Sequence, residues 1–201
     1  MIKLYKTIAM DPPWMERGGG KVKRGADRHY PLVPTAKLPD VIKGSGLYYP
    51  DLDEGCSLWM WATANFLGDA IWLMRELGAQ YVTNAVWVKE GPPGLGQRFR
   101  MMHEHLLYGR IGYSVPVPPP ANRLPSVVIA PRGRHSEKPA EAYRLIETHD
   151  AHLTRLGNTP HRLEMFARVP RPGWDVWRNE VATEPSTESG DDPEEDVQEM
   201  P

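Results

Sequence analysis

The stretch "KTIAMDPPWMER", residues 6–17, joins an apolar run to a rigid turn. The apolar run is typical of a strand, which we predict over residues 4–10. Asp11 follows this strand at once, and Pro12 and Pro13 stiffen the next two positions because each proline fixes φ and lacks a backbone N–H. The carboxylate of Asp11 and the backbone carbonyls of the turn are therefore expected to be free acceptors that point the same way.

These acceptors suit a planar ring that carries an exocyclic amino group, as adenine and cytosine do. The carboxylate of Asp11 and the carbonyl of Pro12 would accept the two N–H bonds, and the ring would stack on the indole of Trp14. Both acceptors localise the lone pair of the amine, which attacks a methyl sulfonium while Asp11 takes the departing proton directly or through water. We therefore predict that Asp11, Pro12, Pro13 and Trp14 form a catalytic motif. The structural alternative is a strand-ending proline turn whose tryptophan belongs to the core.

The composition predicts one folded domain followed by an acidic tail. The chain has 201 residues, 40% of them hydrophobic, and a formal net charge of −2. Eight acids and no base fall in residues 182–201, so residues 1–181 hold 24 bases and 18 acids. We expect a domain over residues 1–181 and a disordered tail over residues 182–201. The basic domain permits a polyanionic partner such as nucleic acid without requiring one.

Cysteine usage and hydropathy predict a cytoplasmic location. Cys56 is the single cysteine, so one chain cannot form a disulfide, and we expect this residue to be buried in a reducing compartment. No signal-peptide pattern opens the sequence, and no apolar stretch approaches the length of a membrane span. We therefore expect no contact with membranes.

Strand and helix patterns alternate along the chain and predict an α/β sheet that is mostly parallel, with helices on both faces. Further strands are predicted at residues 56–63, 80–89, 103–110, 126–130 and 162–169, and helices at 35–42, from 66 until Gly78, and at 138–149. Ligands bind such sheets at the carboxyl ends of the strands. Asp11, Lys89, residues 132–138 and Arg168 lie at such ends, so we expect one rim that collects an acid and several cations.

Seven further motifs follow the Asp-Pro-Pro-Trp element in a fixed order. They are "HYP" at 29–31, "WMWAT" at 59–63, "VWVK" at 86–89, "HEHLLYGR" at 103–110, "HSEKPAEAYRLIE" at 135–147, "LEMFAR" at 163–168 and "GWDVWRNEV" at 173–181. Together with the first element, they give a chain that resembles the MT-A70 family of adenine N6-methyltransferases over nearly all of residues 4–181. The resemblance implies a Rossmann-like methyltransferase fold with permuted order, in which the catalytic motif comes first and the cofactor motifs last.

The same resemblance implies S-adenosyl-L-methionine as cofactor. The residues that match cofactor-pocket positions of the family are Lys138, Glu164, Met165, Arg168, Asn179 and Glu180. A cation such as Lys138 or Arg168 suits the carboxylate of the methionine end, and acceptors such as Asn179 and Glu180 suit the ribose hydroxyls. The sequence has no G-x-G-x-x-G, and "FARV" at 166–169 stands where many methyltransferases have glycines.

Two basic loops are predicted to contact nucleic acid because they leave from the catalytic rim. Loop 15–34 contributes Arg17, Lys21, Lys23 and Arg24, and loop 90–101 contributes Arg98 and Arg100. By resemblance, His29 and Tyr30 shape the mouth of the pocket. The alternative for both loops is an ordinary solvated connection.

Two other residue groups are expected to have structural roles. His103 and His105 share one face of a predicted strand, but no third ligand follows at a suitable spacing, so we predict no metal. The tryptophans at 59, 61, 72 and 87 are expected in the core or at a subunit interface. A homodimer is left open.

The functional prediction is transfer of a methyl group from S-adenosyl-L-methionine to the N6 amine of adenine in DNA. DNA is preferred because this chain lacks the additional N-terminal parts with which larger eukaryotic relatives bind RNA. The same reaction on RNA stays an alternative. A second alternative is a catalytically silent scaffold that binds nucleic acid, although silent relatives lose the aspartate that is kept here as Asp11.

Overall fold

The computed structural model describes residues 2–15, 32–93, 98–113, 115–133, 137–151, 153, 160–167 and 169–177. These residues build a seven-stranded sheet in the order β5-β3-β4-β2-β1-β6-β7. The strands are β1 Thr7–Met10, β2 Cys56–Ala62, β3 Gln80–Glu90, β4 His103–Ile111, β5 Val127–Pro131, β6 Arg162–Met165 and β7 Asp175–Trp177. β4 runs antiparallel to both of its neighbours, and the other four strand pairs are parallel. The predicted α/β sheet, mostly parallel, is confirmed.

Helices cover both faces of this sheet, as predicted. On one face, α1 Leu38–Lys43 and α2 Leu67–Glu76 pack on the strands in a core that includes Ile8 and Met60. On the other face, α3 Ala140–Asp150 packs in a second core that includes Trp59. All residues of β1 and β2 are buried because these inner strands are covered from both sides.

Most predicted elements form within a few residues of their expected bounds. A 3-10 turn at Thr35–Lys37 leads into α1, and α2 ends before Gly78, which has a φ of +82°. α3 begins two residues later than predicted, and Pro139 is its N-cap. β6 is shorter than predicted and stops at Met165, and β7 was not predicted, because a three-residue strand carries little periodic signal.

A buried carboxylate fixes the orientation of α3 on the sheet. Asp150, at the last position of α3, is fully buried and accepts hydrogen bonds from Thr7 Oγ1 at 2.8 Å, Ser57 Oγ at 3.1 Å and Trp59 Nε1 at 3.1 Å. Thr7 and Ser57 lie at the amino ends of β1 and β2. The carboxyl end of α3 is thus held at the amino edge of the sheet, and the residues before α3 lie at the carboxyl edge.

Four further expectations concern single residues or whole-chain properties. Cys56 is buried, as predicted. Trp59, Trp61 and Trp87 are core residues, whereas Trp72 is 38% exposed. None of the helices in the described ranges is long and apolar enough to cross a membrane. The expected tail over residues 182–201 lies outside the described residues.

Candidate active site

The Asp-Pro-Pro-Trp turn leaves β1 at the carboxyl edge of the sheet. The backbone N–H of Asp11 donates to the carbonyl of Met165 at 3.4 Å, which ties the turn to the end of β6. The carbonyl of Pro12 accepts the N–H of Trp14 at 2.8 Å, and the carbonyl of Pro13 accepts the N–H of Val33 at 3.1 Å. The expectation that the turn carbonyls are free acceptors is therefore wrong. Each carbonyl retains only the second of its two lone pairs for a ligand.

Trp14 belongs to the core. Its side chain is 8% exposed, and its ring stacks on Phe66 with centroids 5.5 Å apart and an interplanar angle of 14°. Its Nε1 donates to the carbonyl of Trp61 at 3.2 Å. The prediction of an open indole face beside Asp11 is thus not met, because Phe66 covers that ring and burial closes it. The structure favours the alternative that Trp14 anchors the turn.

Four charged side chains meet at the rim with alternating sign. The ammonium of Lys138 lies 3.1 Å from Oδ1 of Asp11 and 2.7 Å from Oε2 of Glu104. Oε1 of Glu104 pairs in turn with the ammonium of Lys89. The side chains of Glu104 and Lys138 are only 9% and 8% exposed, so these ion pairs are largely shielded from water. Lys89 and Lys138, expected on one rim with Asp11, are indeed brought together there.

Glu104 was not expected at this site. β4 is antiparallel to its neighbours β2 and β3, so its amino end, where Glu104 lies, meets the carboxyl ends of those two strands. Burial by itself raises the pKa of Glu104, but the charges and hydrogen bonds of Lys138 and Lys89 outweigh burial and lower the pKa from 4.5 to about 2. Glu104 is therefore an anion at neutral pH. The sequence did contain a signal for this position. Glu104, Leu106 and Tyr108 occupy every second position of the strand, so Glu104 lies on the same buried face as the two core residues. A carboxylate on a buried face needs a cation as partner.

A cavity of about 130 Å³ adjoins the Asp11–Lys138 pair. It lies between the end of β1, the start of α3 and the connection from β6 to β7. Its walls are formed by Asp11, Glu137, Lys138, Tyr143, Glu164, Phe166, Val169, Pro170, Arg171 and Pro172. The cavity thus combines three carboxylates, two cations and an apolar wall at the expected edge of the sheet.

Glu164 presents an unsatisfied acceptor in the wall of this cavity. The residue is 8% exposed, and its Oε1 accepts a hydrogen bond from the hydroxyl of Tyr143. Its Oε2 is buried and has no hydrogen-bond partner within the described part of the chain. Burial raises the pKa of Glu164, although Tyr143 and Arg171 oppose the shift. A buried acceptor without a partner is costly, so this oxygen is suited to a donor on a ligand.

Met165 and Phe166 depart from the expected pattern in different ways. The side chain of Met165 is fully buried in the core on the α1–α2 face, so only its carbonyl, bonded to Asp11, faces the site. Phe166 has a φ of +62° and packs edge-on against Trp177 at 5.0 Å. A left-handed backbone is unusual for a bulky residue, and it occurs here at the first position of "FARV". Phe166 thereby supplies a turn that glycine would make without strain.

The remaining predicted site residues divide into two groups. Arg98 and Arg100 are exposed in the connection between β3 and β4. The others, Arg17, Lys21, Lys23, Arg24, His29, Tyr30, Arg168, Asn179 and Glu180, lie outside the described residues. Within the described ranges, no group of three or more His, Cys, Asp or Glu side chains is arranged to hold a metal ion. The rings of His103 and His105 contact each other edge-on, with centroids 5.1 Å apart.

The sheet with its single antiparallel strand, together with the acid and cations at its carboxyl edge, defines a Rossmann-like methyltransferase. The chain belongs to the MT-A70 family, whose family model matches residues 5–180. It is also similar to the type II methyltransferase M.MunI of Mycoplasma sp.. That relative is 29% identical over 196 residues, which cover 89% of this chain and 78% of the relative. The resemblance inferred from the motifs is confirmed, and so is the permuted order that places the turn after β1 first.

Proposed function

We propose that this methyltransferase transfers a methyl group from S-adenosyl-L-methionine to the N6 amine of adenine in DNA. The observation that carries the proposal is the position of the Asp11 carboxylate. It ends an inner strand of the sheet, lines the cavity, and shares that cavity with Lys138 and Glu164. An acid beside a pocket with both a cation and an acceptor suits an amine substrate next to a zwitterionic cofactor.

The residues present fit the cofactor. The ammonium of Lys138 matches its carboxylate, and the unpartnered Oε2 of Glu164 matches a hydroxyl or amine donor. Pockets for drug-sized ligands usually measure about 300–1,000 Å³, so the described residues form only part of the site. We propose that Arg168, Asn179 and Glu180 complete it. When bound, the cofactor supplies an electrophilic methyl group on a sulfonium.

Asp11 has two roles in this proposal. Its carboxylate accepts an N–H of the adenine amine, which localises the nitrogen lone pair and directs it at the methyl group. It then takes the proton that leaves the nitrogen, directly or through one water molecule. The second lone pair of the Pro12 carbonyl accepts the other N–H. Pro13 and Trp14 act by fixing the turn, since the carbonyl of Pro13 and the indole of Trp14 are bonded within the protein.

Two observations support a nucleic acid as substrate. The similar protein M.MunI is a type II methyltransferase. The exposed Arg98 and Arg100 follow β3 at the same rim as Asp11, where they can meet phosphates. We propose that Arg17, Lys21, Lys23, Arg24, His29 and Tyr30 form the other side of this interface. Extrusion of the base from the stack would bring its amine to Asp11.

Four broader expectations also stay proposals. We propose that residues 1–181 form the catalytic unit and residues 182–201 a disordered acidic tail. We propose a cytoplasmic location, and a homodimer stays open. None of these enters the chemistry of the site.

The test is to map 6-methyladenine in the DNA and RNA of a host without adenine methylation that expresses the protein. Wild-type protein should produce 6-methyladenine at defined DNA sites, and the Asp11→Asn variant, expressed at equal level, should produce none. Detection of 6-methyladenine in RNA and not in DNA would show that RNA is the substrate. Absence of 6-methyladenine from both nucleic acids would refute the proposal and favour a silent scaffold.

A further inference from the structure

We propose that Glu104 is a positioning residue that holds Lys138 in place for the cofactor and joins it to the base of the β3–β4 connection. The inference rests on the proposed function, because it assigns a consequence for cofactor binding. It concerns a residue that carries no role in the function proposed above. The observations behind it are the contacts that surround the Glu104 carboxylate.

Of the Asp11 and Glu104 carboxylates, which both pair with Lys138, Glu104 is the nearer. The Lys138 ammonium lies 2.7 Å from Oε2 of Glu104 and 3.1 Å from Oδ1 of Asp11. Both oxygens of Glu104 are engaged, because Oε1 pairs with Lys89. The carboxylate therefore sits between two cations.

Two buried tryptophans contact the ammonium groups of Lys138 and Lys89. The Lys138 ammonium lies 5.2 Å from the ring centroid of Trp61, and the Lys89 ammonium lies 4.9 Å from that of Trp87. The two rings meet edge-on at 6.2 Å, and both are buried. Cation–π contacts orient the lysines, and the apolar tryptophan rings reduce the screening of the ion pairs by water. The lysines are therefore held at set positions on either side of Glu104.

The Glu104 carboxylate also joins the two ends of the connection between β3 and β4. Lys89 is the penultimate residue of β3 and Glu104 the second residue of β4, so their ion pair spans the two ends of residues 91–102. The N–H of Lys89 also donates to the carbonyl of Met102 at 2.7 Å. Arg98 and Arg100 lie in this connection. Glu104 thus links the segment proposed to contact nucleic acid with the lysine proposed to contact the cofactor.

Removal of the Glu104 charge has a defined consequence. In Glu104→Gln, the shape of the side chain is kept, but Lys138 loses one carboxylate partner while its pair with Asp11 remains. Its ammonium is then drawn toward Asp11 and away from the cofactor carboxylate. The affinity for the cofactor should fall because Lys138 is misplaced. If Lys138 is already absent, removal of the Glu104 charge should have little further effect.

A double-mutant cycle with calorimetry of S-adenosyl-L-methionine binding tests this. Glu104→Gln and Lys138→Met should each raise the cofactor Kd about tenfold, as expected when a charge-assisted hydrogen bond is removed. The double variant should lie within about twofold of Lys138→Met alone, since residues that act through each other are not additive. Glu104→Asp, which keeps the charge, should recover part of the affinity, a result that a purely structural role would not give.

Controls separate the possible failures. Glu141→Gln removes an exposed carboxylate that pairs with Arg144 on α3 and should leave the Kd unchanged. Additive losses in the double variant, or wild-type affinity in Glu104→Gln, would overturn the inference while leaving the proposed function intact. If Glu104→Gln does not fold, the cofactor Kd of Glu104→Asp is compared with that of Lys138→Met. Equal losses of affinity in the two variants would overturn the inference, and a smaller loss in Glu104→Asp would support it. Absence of cofactor binding by the wild-type protein would overturn both proposals.

Discussion

The ammonium of Lys138 lies 3.1 Å from Oδ1 of Asp11, so the cation before α3 and the acid after β1 form one ion pair. Sequence reasoning assigned these residues to different ligands, the cofactor and the adenine amine. Their contact means that neither charge can change without affecting the other. The side chains are only 8% and 17% exposed, so water screens the interaction weakly. Binding of the two substrates is therefore expected to be coupled through this pair.

Phe166 gives a prediction about backbone strain. Its φ of +62° is disfavoured for every side chain with a Cβ, so glycine at this position should be more stable than alanine. We expect Phe166→Gly to exceed Phe166→Ala by about 1 kcal/mol in the free energy of unfolding, measured with urea. Ala167→Gly is the matched control. Ala167 does not have a positive φ, so glycine at this position should lower the free energy of unfolding. The opposite order at Phe166 would contradict the backbone assignment.

Glu104 gives a prediction about acid stability. Its folded pKa of about 2 lies below the ordinary value of 4.5, so it adds stability above pH 4.5 that is lost as the pH falls toward 2. The difference in unfolding free energy between wild type and Glu104→Gln should therefore narrow from pH 5 to pH 2. Denaturant unfolding at a series of pH values measures it, with the exposed Glu141→Gln as control. A difference that stayed constant or widened in acid would argue against a paired, ionised Glu104.

Arg98 and Arg100 are predicted to contact phosphates. Their joint replacement by alanine should weaken binding to all DNA sequences and reduce the slope of log K against log salt by about 0.7–0.9 for each phosphate that is no longer neutralised. Filter binding or anisotropy from 50 to 200 mM salt measures the slope. Arg110→Ala is the control, because Arg110 lies at the other end of β4, where it bonds to Gln80. An unchanged slope in the double variant would remove these residues from the interface.

The tail is predicted to be dispensable for folding. Residues 182–201 contain eight acids and no aromatic residue, a composition that cannot form a core. A chain ending at residue 181 should melt within about 2 °C of the full chain, since 1 kcal/mol corresponds to about 2–4 °C at this size. Differential scanning calorimetry of both proteins decides the matter. A drop well beyond that range would place tail residues in contact with the domain.

The sequence predicted the sheet and the edge at which the site forms, because the periodic signals of β1, β2, α2 and α3 are strong and local. It did not predict that Trp14 is covered. The stacking partner Phe66 belongs to another element, and no spacing rule connects the two residues. Nor did it place Glu104, whose position depends on β4 running antiparallel, a property of the sheet and not of the strand. Both features depend on contacts between elements that are distant in the sequence, and local residue patterns do not specify such contacts.

The central claim is that Asp11 directs the amine of adenine at a methyl donor. The most direct measurement incubates the purified protein with DNA and S-adenosyl-L-methionine that carries a labelled methyl group, then digests the DNA to nucleosides. The account predicts label in N6-methyladenine for the wild type and a loss of at least about 100-fold in Asp11→Ala, which should still bind the cofactor. Label in another base, or wild-type transfer by Asp11→Ala, would contradict it.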